Sequence, residues 1–229
     1  MIYLFIATLV MTAIIVSVYM KKVNYNEIKY DEELSQIIEK LDDNTKITEE
    51  ILKKLNNNHT KVTENLDEKS KLSYYNHKKD TIVMQQCEKK EYARIVNIAH
   101  ECVHTTQKRS YLVMNKIFSN IQILYFLFLS VYFFYTDNEQ LKLILAMVQI
   151  FILFITLFAK IVIESDACYR SVMLATDYLE EKIGLEKAKK YREKVEKNIY
   201  DMIPMYYINF LTQGVFMAII VQIIGMVKM

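Results

Sequence analysis

Four long apolar blocks alternate with charged, periodic segments along this chain. Ile2 to Met20 is apolar and ends at Lys21-Lys22. Ile117 to Tyr135 is interrupted only by Ser, Asn and Gln. Leu141 to Ala159 carries Lys142 and Gln149 as its main interruptions, and Met202 to Val227 has no charged residue. At about 1.5 Å of rise per residue, each block is long enough to cross roughly 30 Å of hydrocarbon as a helix. The pattern predicts four transmembrane helices. The first block has no basic residue ahead of it and no small-residue cleavage site after it, so it is expected to be a retained anchor.

The polar segments have shorter periods. In Asp31 to Leu41, Leu34, Ile37, Ile38 and Leu41 form one stripe, which predicts an amphipathic helix. Asp42-Asp43-Asn44-Thr45 breaks it. Ile47 to Leu55 repeats the stripe through Ile51, Leu52 and Leu55 and ends at Asn56-Asn57-Asn58. Lys61 to Glu64, Lys71 to Tyr75 and Thr81 to Met84 read as short strands, separated by turn-forming residues. They predict a small antiparallel sheet, whose edge could hold an extended peptide. Ala93 to Val103 is periodic again and predicts a helix.

Charge then orients the blocks. Thr136 to Gln140 has two acids and no base, whereas Ile161 to Asp201 carries Arg170, Lys182, Lys187, Lys189, Lys190, Arg192, Lys194 and Lys197. Short basic connections stay in the cytoplasm. Residues 23–116 and 161–201 are therefore expected on the cytoplasmic side, and the tip of the 117–160 hairpin on the other. Composition agrees: 52% of residues are hydrophobic, yet mean hydropathy is only +0.07, as expected for apolar blocks beside highly charged ones. Only three Gly and one Pro occur, which favours long helices, and a net charge of +2 gives no support for nucleic-acid binding. The three cysteines, Cys87, Cys102 and Cys168, are expected to be unpaired in a reducing compartment, with Cys102 packed in the interior.

The periodic run from Ala93 contains His100-Glu101-Cys102-Val103-His104, an H-E-x-x-H string. Four residues apart on a helix share a face, so both imidazoles can reach one Zn²⁺, with Glu101 beside a metal-activated water. A catalytic zinc takes three protein ligands and leaves one position open. The metzincin pattern would need Gly at 107 and His at 110, where the chain has Gln107 and Ser110. A downstream acid remains, and Glu164 and Asp166 stand just beyond the third apolar block. His104 lies roughly 20 Å of straight helix before the second block, and Glu164 roughly 7 Å beyond the third. Those heights differ, so a break is expected between Thr105 and Lys116.

Ala99-His100-Glu101, His104 and Gln107 resemble the A-H-E-x-G-H-A-x-Q signature of the YugP-type family of membrane neutral zinc metallopeptidases. Val162-Ile163-Glu164-Ser165-Asp166-Ala167 with Arg170 resembles its P-V-E-F-D-A-S-R-R motif. Leu72-Ser73-Tyr74-Tyr75-Asn76 and Thr81-Ile82-Val83 resemble its preceding strands. The chain departs from the family at Val103, where the family has Gly, at Tyr74 and Tyr75, where it has an acid and His, and in lacking the Pro that follows. The resemblance implies His100, His104 and Glu164 as zinc ligands and Glu101 as catalytic base. It leaves Asp166 and Arg170 as orienting or substrate-side groups. Arg170 is the first choice for stabilising the oxyanion, with Tyr74 and Tyr75 behind it.

The expected protein is a mainly α integral membrane protein with a small cytoplasmic α+β zinc-metallopeptidase domain. Its parts are an anchor (1–22), a cytoplasmic domain with sheet and H-E-x-x-H helix (23–116), a transmembrane hairpin (117–160), an acidic motif with a basic helix (161–201) and a last membrane helix (202–229). Its expected partners are the lipid bilayer and a peptide or membrane-protein substrate. A catalytically silent membrane scaffold, binding through residues 31–70, is the alternative. Zinc hydrolysis of a non-peptide amide is a third reading.

Overall fold

A computed structural model of the chain describes residues 6, 8–12, 14, 32–65, 73–85 and 92–227, the side chains of 197, 198, 200–206, 209 and 227 excepted. Its elements are α1 (Glu32–Glu39), α2 (Asn44–Lys54), β1 (Lys61–Asn65), β2 (Tyr74–Asn76), β3 (Thr81–Gln85), α3 (Arg94–Thr106), α4 (Arg109–Tyr135), α5 (Glu139–Ile183) and α6 (Leu185–Val227). The chain divides into two compact units. One holds residues 1–25, 113–162 and 202–229, and the other holds 26–112 and 163–201.

The second unit has an aliphatic core. Leu34 and Ile38 of α1, Ile51 and Leu52 of α2, Ile82 and Met84 of β3, and Ile95, Ile98, Ala99 and Cys102 of α3 are buried together. The later parts of α5 and α6 add Val172, Tyr178, Tyr191 and Val195. The helix expected from Ile47 starts three residues earlier, because Asp43 caps it: its carboxylate accepts the Lys46 N–H at 2.8 Å. Buried Arg94 joins the ends of α1 and α2. It donates to Asn44 Oδ1 at 2.6 Å, to the Ile38 carbonyl at 2.9 Å and to the Asp42 carbonyl.

The sheet is mixed rather than antiparallel, in the order β1-β3-β2. β2 and β3 pair antiparallel through the turn after Asn76, whereas β1 pairs parallel to β3, with Val62 opposite Ile82. The physical reason is burial: β3 carries the buried residues of the sheet and takes its centre, so β1 pairs with β3 rather than with β2. β3 is the central strand, and Ile82 and Met84 are its buried residues. β2 remains an edge.

The expected break falls at Gln107 and Lys108, where α3 ends and before α4 begins. The acidic motif lies on the same helix, α5, as the third apolar block. α5 stops at Gly184, whose φ of +86° suits glycine, and its N–H caps the Glu180 carbonyl at 3.1 Å.

In the first unit, α4 and α5 are each long and apolar enough to cross a membrane, and Phe210–Met226 of α6 is a shorter apolar stretch. Most of the expected N-terminal anchor falls outside the described residues; those described there are helical. Leu129, Phe133, Ala146 and Val221 pack together, and Leu153 packs with Val215. Many apolar side chains point outward, including Leu124 (65% exposed) and Phe158 (69%).

Candidate metal centre

α3 sorts its residues by face. Ile95, Ile98, Ala99 and Cys102 recur at helical spacing and enter the core, which leaves His100, Glu101 and His104 on the flank. Val103, where the resembling family has Gly, is fully buried within the helix. On α5, Glu164, Cys168 and, between them, Asp166 lie toward α3, as their contacts record.

Three ligand atoms converge. His100 Nε2 and His104 Nε2 are 3.1 Å apart, and Glu164 Oε2 is 3.3 Å from the first and 3.8 Å from the second. Tetrahedral Zn²⁺ with bonds of about 2.0–2.1 Å has ligand-to-ligand edges of about 3.3–3.4 Å. The three edges centre on that size, the His104–Glu164 edge being the longest, so the donor set and its spacing fit a zinc ion. The opposite ring nitrogens are engaged. His104 Nδ1 meets Gln107 Oε1 at 2.9 Å, and His100 Nδ1 lies 3.8 Å from Cys168 Sγ. Both rings therefore turn Nε2 toward the common point.

The electrostatics match a site built for positive charge. Burial disfavours a charged His100, but Cys168, Glu164 and the Glu101 carboxylate outweigh it and raise its pKa to about 10. Burial, and then the charge on His100, lower the pKa of His104.

Glu101 is held separately. Its Oε2 accepts the backbone N–H of Tyr75 at 2.7 Å, from the free edge of β2. The Tyr75 side chain turns to the β2–β3 turn, where its hydroxyl donates to Asp80 Oδ1 at 2.9 Å. That carboxylate also accepts Thr60 Oγ1 at 2.8 Å. Burial first, and then Asp80, push the Tyr75 phenol up to about 12.

Of the residues expected in the site, His100, His104 and Glu164 meet, and Glu101 stands beside them. Asp166 accepts from Gln107 Nε2 at 2.9 Å rather than touching a ligand atom. Arg170 pairs with Asp166 at 3.4 Å on the half-exposed side of α5. Tyr74 is half exposed on the β2 edge. Cys102 is buried, and its thiol faces the Thr48 carbonyl at 3.9 Å. Cys102 and Cys168 are both unpaired, and Cys87 lies outside the described residues. Sequence reasoning assigned no role to Cys168, to Gln107 or to the Tyr75 amide. Spacing carries a signal for the first two, since Cys168 is four residues beyond Glu164 and Gln107 three beyond His104.

No family model, curated protein or solved structure matches this chain.

Proposed function

We propose that this protein is a membrane-embedded zinc-dependent endopeptidase of the YugP type, with its site on the cytoplasmic side. The carrying observation is the triangle of His100, His104 and Glu164 beside Glu101, at the spacing a tetrahedral zinc requires. The apolar faces of α4 and α5 support the membrane part: only 17% and 28% of their most apolar stretches are buried within the protein. Four crossings would follow if the N-terminal block and the end of α6 also span. The basic residues of 161–201 support the cytoplasmic orientation.

Zinc bound by His100, His104 and Glu164 would supply Lewis acidity, acidifying a water and polarising the scissile carbonyl. The chain's own part is proton transfer and positioning. Tyr75 N–H orients Glu101 through Oε2, and the Glu101 carboxylate takes the water proton and passes it to the leaving amine. Arg170 is engaged by Asp166, so no chemical step is assigned to it.

The test is metal content and casein cleavage of the purified full chain. Wild type should bind one zinc and cleave. His100→Ala should lose the metal, and Glu101→Gln should keep zinc while losing at least about 10²-fold in rate. Full activity in Glu101→Gln would overturn the mechanism. Zinc binding without hydrolysis in wild type would favour the silent-scaffold reading.

A further inference from the structure

We propose that Gln107 is the positioning residue of the metal centre, one carboxamide that sets the tautomer of His104 and ties its helix to the helix carrying Glu164. The inference rests on the zinc reading above. Gln107 is the first residue beyond α3, with extended backbone at φ −72° and ψ 148°. Leaving the helix three residues after His104 lets its side chain fold back over that imidazole. Its Oε1 lies 2.9 Å from His104 Nδ1. Its Nε2 donates to the Ile163 carbonyl at 2.8 Å and to Asp166 Oδ2 at 2.9 Å.

A carboxamide has one face that only accepts and one that only donates. Asp166 and the Ile163 carbonyl are acceptors, so they require Nε2 on their side. Oε1 must then face His104, and only a protonated Nδ1 satisfies it. That leaves the Nε2 lone pair for the metal. Orientation is thus set from α5, by the residues either side of Glu164, and is transmitted to a ligand on α3. The same bonds hold the two ligand-bearing helices in register at the position of Glu164. Asp166 is here the anchor of Gln107, and Arg170 neutralises that anchor.

Zinc affinity of the full chain in detergent, measured by competition with a chromophoric chelator, tests this. Gln107→Leu keeps the bulk and removes both functions. It should weaken zinc binding about 10- to 100-fold. The Co²⁺ form of that variant should show altered visible bands, a readout that loss of packing alone would not give at unchanged helical content. Asp166→Leu removes one of the two acceptors that orient the carboxamide and should weaken zinc binding less than Gln107→Leu does. Wild-type affinity in Gln107→Leu, or unaltered Co²⁺ bands in that variant, would overturn the proposal. Failure of wild type to bind zinc would overturn the zinc reading itself, so the two failures are distinguishable.

Discussion

The two compact units use polarity in opposite ways. In the unit containing the metal centre, aliphatic residues such as Ile47, Ile51, Ile82 and Ile95 are fully buried, and charge lies mostly outside. In the other unit, Leu124, Val131, Phe151 and Phe158 are more than 60% exposed, while Gln122, Lys142, Gln149, Thr156 and Gln222 are buried. Ser130 and Thr156 satisfy their hydroxyls on carbonyls four residues back in their own helices, at 2.8 Å each. Lys142 donates to Glu139 and to the Gly225 carbonyl, both at 3.0 Å. In water, such an inside-out arrangement forfeits the main driving force of folding. In lipid it forfeits nothing, because the tails are as apolar as leucine and polar contacts help join the helices.

The first way to break the comparison is through the exception inside the soluble-type unit. Arg94 is fully buried and satisfies Asn44 and two backbone carbonyls. Burial holds its pKa below the usual arginine value, yet its partners keep it in place. Arg94→Ala leaves three acceptors unsatisfied, at about 1–3 kcal/mol each. The expected outcome is loss of the folded unit, seen as rapid proteolysis within 32–112 and loss of zinc binding, with the apolar unit still membrane-extracted. A stable, protease-resistant variant would show that Arg94 is not the hub of this core.

The second compares equal exposures in the two units. Phe151, midway along its apolar block, is 65% exposed in one and Met173 57% in the other. If the first faces lipid, Phe151→Arg should cost about 2.5–3.5 kcal/mol of insertion free energy. Met173→Arg should stay within about 0.5 kcal/mol, as for an ordinary surface change. Carbonate extraction of the first and thermal melting of the second give the two values. Equal and small effects would remove the case for lipid around α5.

What was legible in the sequence follows the same divide. Periodicity revealed the stripes of α1, α2 and α3, because Leu34, Ile38, Ile51 and Ile98 repeat at helical spacing into one core. The break at Gln107 and Lys108 was legible from chain length alone. Strand directions were not, since β1 joins β3 through pairing that no local residue encodes. Continuity of α5 through Glu164 was legible too, because no Gly or Pro interrupts the run from Glu139 to Ile183. In the metal centre, His100 and His104 were visible as a spacing, and Cys168 and Gln107 stood at helical distance from Glu164 and His104, but their partners appear only where α5 meets α3.

The smallest effect sharpens the comparison most. Thr8 and Gln222 bond each other within the apolar unit, with Thr8 Oγ1 at 3.4 Å from Gln222 Oε1 and 3.3 Å from Nε2. Both side chains are buried. A comparable pair buried in a water-soluble core costs about 1–3 kcal/mol when one partner is left alone. Between membrane helices the coupling averages only about 0.6 kcal/mol, because the separated helices find other partners. A double-mutant cycle of Thr8→Val and Gln222→Leu, read by unfolding in mixed micelles, should therefore give about 0.6 kcal/mol. Coupling well above 2 kcal/mol would mean that this pair behaves as in a soluble core, and the contrast between the two units would fail at its most direct point.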